Sequence, residues 1–141
     1  MSFLRSEEFL NILTECCIKD YPYTPFADAF HTMRSMLLPV LYLMGSEVPK
    51  ADVYHAICTG YGGLLACLGG HVYKKKVLLT EHGIYTRERE EEIIRAKWVQ
   101  PAFKKQWISF FYMLSDIIYT RAFSSLSIIY QCHACTDPDG M

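Results

Sequence analysis

The sequence predicts an α/β arrangement of parallel strands with flanking helices, and three observations carry the prediction. Segments at about 52–58, 77–81 and 125–130 read as short strands. A glycine turn and a short helical pattern separate the first two, which is the grammar of a βαβ unit. A long amphipathic stretch separates the second from the third.

The chain has 141 residues, 51% hydrophobic and 21% charged, enough for one domain, or a piece of one, with a real core. A formal net charge of −1 and a pI near 6.5 exclude a general polyanion binder, so nucleic acid is not an expected partner. Six cysteines suggest disulfides by count. However, no signal peptide opens the chain, and Cys16, Cys17, Cys58 and Cys67 fall in apolar periodic segments, which predicts buried, reduced thiols in a cytoplasmic protein. The apolar runs 36–44 and 107–119 are interrupted by Pro39 and Asp116 and fall short of the ~20 residues that span a bilayer.

Taken in order, Ser6 caps a first helix with Glu7 and Glu8 in its opening turn and Phe9, Leu10, Leu13 and Cys17 on one face. Thr24-Pro25 predicts the next helix start, with Thr24 as cap and proline at the first helical position. The stripe of that helix is Met33, Leu37, Val40, Leu41 and Met44, with a kink or restart at Pro39 and a stop at Gly45. Residues 51–58 then alternate in the manner of a strand. Leu64, Leu65, Cys67 and Leu68 give a short helix closed by Gly69-Gly70. Val77-Leu78-Leu79-Thr80 is near-continuously apolar, as in a strand buried on both faces.

Beyond Thr86 a helix is signalled by Glu88 and by the spacings Arg87/Glu91 and Glu91/Arg95, and it breaks at Pro101. From Ala102 to about Ala122, Phe103, Trp107, Phe110, Phe111, Leu114, Ile117 and Ile118 recur at helical spacing. The last eleven residues have turn composition.

Two turns then become neighbours. A right-handed crossover puts Thr59-Gly60-Tyr61-Gly62-Gly63 and Glu81-His82-Gly83-Ile84-Tyr85 at one carboxyl edge of the sheet, where open α/β sheets bind ligands. The first turn has neither the third glycine of a dinucleotide fingerprint nor the Lys-Ser/Thr of a phosphate loop. Its glycines suit backbone approach to a phosphate or close helix-on-strand packing, and both readings stay open. Glu81 and His82 are adjacent at a strand end, so one faces the cleft and the other does not. His82 reads as a ligand group because of its place beside a glycine turn, against the alternative of a histidine bonded to backbone. Arg87 and Arg89 lie in the first helical turn as candidates for anion contacts, whereas Glu90, Glu91 and Glu92 read as a solvated face. His55, inside a strand, reads as packed. Cys132-x-x-Cys135 with His133 lacks a second ligand pair for zinc, and no metal site is expected.

The segment 51–61 and above all Leu79-Thr80-Glu81-His82-Gly83-Ile84-Tyr85-Thr86-Arg87-Glu88-Arg89-Glu90 closely resemble the PelF family, the cytoplasmic glycosyltransferases of Pel exopolysaccharide synthesis. Met33-Arg34-Ser35-Met36 with Leu38-Pro39, and Trp107 to Tyr112, extend the likeness over about residues 3–130, and it fades over 131–141. The resemblance implies a retaining hexosyltransferase of family 4 with GT-B architecture, two Rossmann-like domains closing on a nucleotide sugar of the UDP class. Residues 1–130 then correspond to part of the amino-terminal domain and 131–141 to a divergent tail, with the donor-binding carboxyl-terminal domain and the opening strands outside the chain. On that reading the chain is inactive alone.

The same resemblance places His82 beside the reacting sugar as the catalytic position. Thr59, Gly60, Tyr61, Gly62, Gly63, Glu81, Gly83, Tyr85, Arg87 and Arg89 then line the substrate side. It implies no cofactor other than the nucleotide-sugar substrate, a growing polysaccharide as acceptor, and a membrane-bound synthase complex as partner at the inner face of the membrane. The competing expectation is a non-catalytic module that docks through an exposed aromatic face of the 103–119 helix.

Overall fold

A computed structural model of the chain describes residues 3–122 and 124–127. Elements follow in the order of a short 3-10 turn Phe3–Arg5, α1 Glu7–Asp20, α2 Phe26–Met44, β1 Val53–Ala56, α3 Tyr61–Tyr73, β2 Lys76–Glu81, α4 Tyr85–Arg95, α5 Pro101–Arg121 and β3 Ser124–Ser127. The three strands form one sheet in the order β1-β2-β3. Both pairings are parallel, with Ala56 opposite Leu79 and Glu81 opposite Ser127. The chain is therefore the α/β unit of parallel strands and flanking helices that its strand and helix grammar predicts, consistent with the partial Rossmann-like domain that the resemblance implies. The predicted third strand begins one residue earlier, at Ser124, and its stretch 128–130 lies outside the described residues, as do Cys132, His133 and Cys135.

Helix starts follow local chemistry. The Ser6 hydroxyl accepts from the Phe9 amide at 3.1 Å, and Glu7 and Glu8 sit at the positive end of α1. Phe9, Leu13 and Cys17 are buried as predicted, while Leu10 is exposed. At α2 the predicted cap moves by one residue. Pro25 is the cap, its carbonyl accepting from the Asp28 and Ala29 amides, and no side chain closes the turn. The helix also runs unbroken through Pro39. Met36, 2% exposed, and the partly buried Leu37, Leu38, Val40 and Leu41 pack against one cluster, so both halves follow a single track despite the lost hydrogen bond. Met44, predicted in the stripe, is exposed.

The largest correction concerns Gly69 and Gly70, which do not end α3. Both are buried inside it, and the helix runs on to Tyr73 and closes with Lys74 in the left-handed region at φ 54°. A Cβ on Gly69 would stand 2.5 Å from Tyr54 Cε1, and one on Gly70 would collide with Val77 Cγ2. The pair therefore lets the helix backbone lie directly on β1 and β2.

The sheet is covered on one face. Tyr54, Ala56, Val77 and Leu79 are buried in one cluster with Ala66, Cys67, Leu114 and Ile118. Val53, His55 and Leu78 are exposed on the other face, so β2 alternates instead of being buried on both faces as its apolar run predicts. His55 is not packed; its Nε2 pairs with Thr80 Oγ1 at 2.9 Å across that open face.

A second cluster joins α1, α2 and the aromatic side of α5, with Phe103, Trp107, Phe110 and Phe111 at its heart. The predicted α5 stripe is buried except for Ile117, and the expectation of an exposed aromatic docking face fails, since Trp107, Phe111 and Leu114 are spent inside the chain's own core. Of the thiols, Cys17 and Cys67 are buried, but Cys16 and Cys58 are exposed, contrary to expectation. Among the described residues no helix is long and apolar enough to cross a membrane.

Candidate functional site at the carboxyl edge of the sheet

Because β1 and β2 are parallel, the turns that follow them emerge at the same edge. A pocket of about 160 Å³ opens there, lined by Ile57, Cys58, Thr59, Glu81, His82, Gly83, Tyr85 and Glu88. It takes three residues from beyond β1 and five from the end of β2 and the start of α4.

Glu81 is the buried anchor, 6% exposed. The Thr59 hydroxyl donates to its Oε1, and the Tyr119 hydroxyl, arriving from the last turns of α5, donates to its Oε2 at 2.6 Å. Burial pushes the Tyr119 phenol up to about 12, reinforced by the Glu81 carboxylate that accepts its proton; the Thr59 hydroxyl acts the other way. The three residues tie β1, β2 and α5 together at the ligand edge. With Glu81 committed inward, the next residue, His82, is exposed at the pocket rim. Both border the pocket, so the expectation that only one of them faces it is corrected, yet their tasks differ: Glu81 holds the strand end and His82 is presented.

Gly60 has φ +87° and ψ −143°, backbone that only glycine adopts at ease, and a Cβ there would meet the Tyr85 hydroxyl at 2.7 Å. The turn is thus shaped so that Tyr85 can lie over it. The Tyr85 ring meets Phe111 edge-on at 6.1 Å, and the Arg89 guanidinium lies 5.6 Å from its centroid. Burial raises the Tyr85 phenol, as it does that of Tyr61.

Both helices that start here lack a capping side chain, since Gly60 and Ile84 supply none. The first intrahelical bonds are Leu64 N–H to Gly60 O and Glu88 N–H to Ile84 O, which leaves the amides of the first turns without helical acceptors. The Glu88 side chain folds back over Gly83, where a Cβ would collide with its Oε1. The lining holds two carboxylates, and His82 is its one cationic-capable group. Negative charge on a ligand would therefore be met mainly by helix amides.

The remaining predicted positions are not drawn to the pocket. Arg87 pairs with Glu91 at 3.4 Å and Arg89 with Glu92 at 2.5 Å, both along α4. Gly63 faces Ile118, its virtual Cβ 3.0 Å from Cγ2, which is the helix-packing reading of the turn. Tyr61 packs between the two clusters, and Gly62 is exposed with only Cys58 Sγ nearby. Among the described residues no group of three or more His, Cys, Asp or Glu side chains could hold a metal.

A family model described as a domain of unknown function (DUF3492) matches residues 1–136. The chain belongs to the DUF3492 family. No curated protein and no solved structure matches it. In this DUF3492 chain the functional neighbour that sequence reading missed is Tyr119. Its only signal was a phenol in the polar flank of α5, 38 residues from Glu81, and the crossing of that helix over the strand end was needed to bring the two together.

Proposed function

We propose that this chain carries a sugar-nucleotide-binding edge of a retaining glycosyltransferase of the PelF type, one that transfers a hexose from a UDP-sugar to a growing exopolysaccharide. The observation that carries the reading is a pocket at the carboxyl edge of the sheet with the uncapped start of α4 in its wall and an exposed imidazole at its rim. Helix amides suit a pyrophosphate, and His82, in hydrogen-bond reach of a ligand in the pocket, suits a sugar hydroxyl near the transferred group. Membership of DUF3492 is compatible with such a region. The polysaccharide acceptor and a membrane-bound synthase complex are the partners this reading implies.

The test is ligand titration of the isotope-labelled chain. UDP-glucose and UDP-N-acetylglucosamine should perturb the amides of residues 57–59 and 82–86 and the His82 imidazole. His82→Ala should weaken that response by about tenfold while leaving thermal unfolding unchanged. An unresponsive His82 and unresponsive 82–86 amides at millimolar sugar nucleotide would sink the proposal.

A further inference from the structure

A second pocket, of about 220 Å³, lies between α2 and the connection that leads from α4 into α5. Its lining includes Asp28, His31 and Thr32 from α2, then Trp98, Gln100 and Trp107. It shares no residue with the sheet-edge pocket.

Three features distinguish it from an incidental crevice. Among the described residues, the carboxylate of Asp28, the hydroxyl of Thr32 and the amide of Gln100 make no hydrogen bond; Gln100 even occupies the cap position of α5 without using its side chain there. Trp98 is 67% exposed although it meets the buried Trp107 edge-on at 5.8 Å, so a large amphipathic ring is held at the mouth by a fixed partner. The volume is below the ~300–1,000 Å³ of sites for drug-sized ligands and suits a single ring.

The lining selects a ligand class. A carboxylate, a hydroxyl and an amide together both donate and accept, which matches vicinal hydroxyl groups. With one carboxylate and one histidine there is no cationic cluster for a phosphate, and so polar a wall does not suit a lipid chain. An exposed indole offers an apolar face to the C–H side of a sugar ring.

We infer that this pocket is a binding site for a neutral saccharide, one pyranose unit lodging against Trp98 with Asp28, Thr32 and Gln100 on its hydroxyls. The inference stands on its own residues and does not depend on the sugar-nucleotide reading.

Trp98 and Trp107 are the two tryptophans of the chain, and both line this pocket; Trp98 also borders a second hollow along α4, so a shift shared by both indole N–H resonances is the signal of binding here. Titration with chitotriose and cellotriose should shift the Trp98 and Trp107 signals together and saturably. Gln100→Ala should weaken the response about tenfold, Trp98→Ala should abolish the shift at Trp107, and His82→Ala should leave the response intact. Circular dichroism checks that each variant folds. Absence of a saturable shift with either trisaccharide, an equal response to glycerol or inorganic phosphate, or binding indifferent to both pocket substitutions would overturn the inference.

Discussion

The Tyr119 hydroxyl donates to Glu81 Oε2 at 2.6 Å, across 38 residues of sequence. A carboxylate buried at a strand end is tolerable only while its lone pairs are satisfied, and this donor supplies half of that satisfaction. Tyr119→Phe keeps the ring and removes the donor. It should cost about 1–3 kcal/mol, seen as a lower urea midpoint with an unchanged m-value.

The same pair gives an alkaline signature. The Tyr119 phenol is raised from 10.0 to about 12, so between those values the folded chain holds a proton that the unfolded chain has released. Stability from this group is therefore complete below pH 10 and is lost as pH climbs towards 12. In Tyr119→Phe the fall in stability over that interval should be shallower, and the ultraviolet titration should lose its last-ionising phenol. An unchanged titration curve would count against the bond.

Glycines in the first turn separate into two kinds. Gly60→Ala must adopt a backbone foreign to L residues and meet the Tyr85 hydroxyl, so a loss of about 1–3 kcal/mol and a shifted Tyr85 ring resonance are expected. Gly62→Ala meets only Cys58 Sγ at 3.4 Å and should change stability by no more than about 0.5 kcal/mol in thermal unfolding.

The thiols should divide by environment. Cys16 and Cys58 are exposed, whereas Cys17 and Cys67 are buried and have thiols pushed up by that burial. Brief iodoacetamide treatment of the native chain, read by peptide mass mapping, should label the first two and spare the second two until denaturant is added. Equal labelling of all four would contradict the packing of α1 and α3.

Sequence patterning revealed the α/β order and most of the buried α5 face because apolar periodicity records burial directly: Phe103, Trp107 and Leu114 all lie inward. It also found the two turns at one edge, since parallel pairing follows from the βαβ order. It could not see what depends on a particular neighbour. Gly69-Gly70 looked like a stop because glycine ends helices more often than it admits Tyr54 and Val77 to a helix backbone. Leu78 looked buried because hydrophobicity does not reveal how many faces of a sheet are covered. In the candidate site, His82 and Gly60 were legible from position. The spacing already paired Arg87 with Glu91, and the structure keeps that pair in place of an anion contact; Arg89 looked available because its i,i+3 partner Glu92 was read as part of a solvated face.

The glycine pair in α3 has one further consequence. Gly69 rests on Tyr54 of β1 and Gly70 on Val77 of β2, so adjacent residues of one helix index two strands at once. The helix cannot slide along one strand without losing its seat on the other. Gly60 lies nine residues before Gly69, about 14 Å along a rigid rod at 1.5 Å per residue. The pair thereby works as a gauge block, and the position of the pocket mouth is set by a fit made at the far end of the helix.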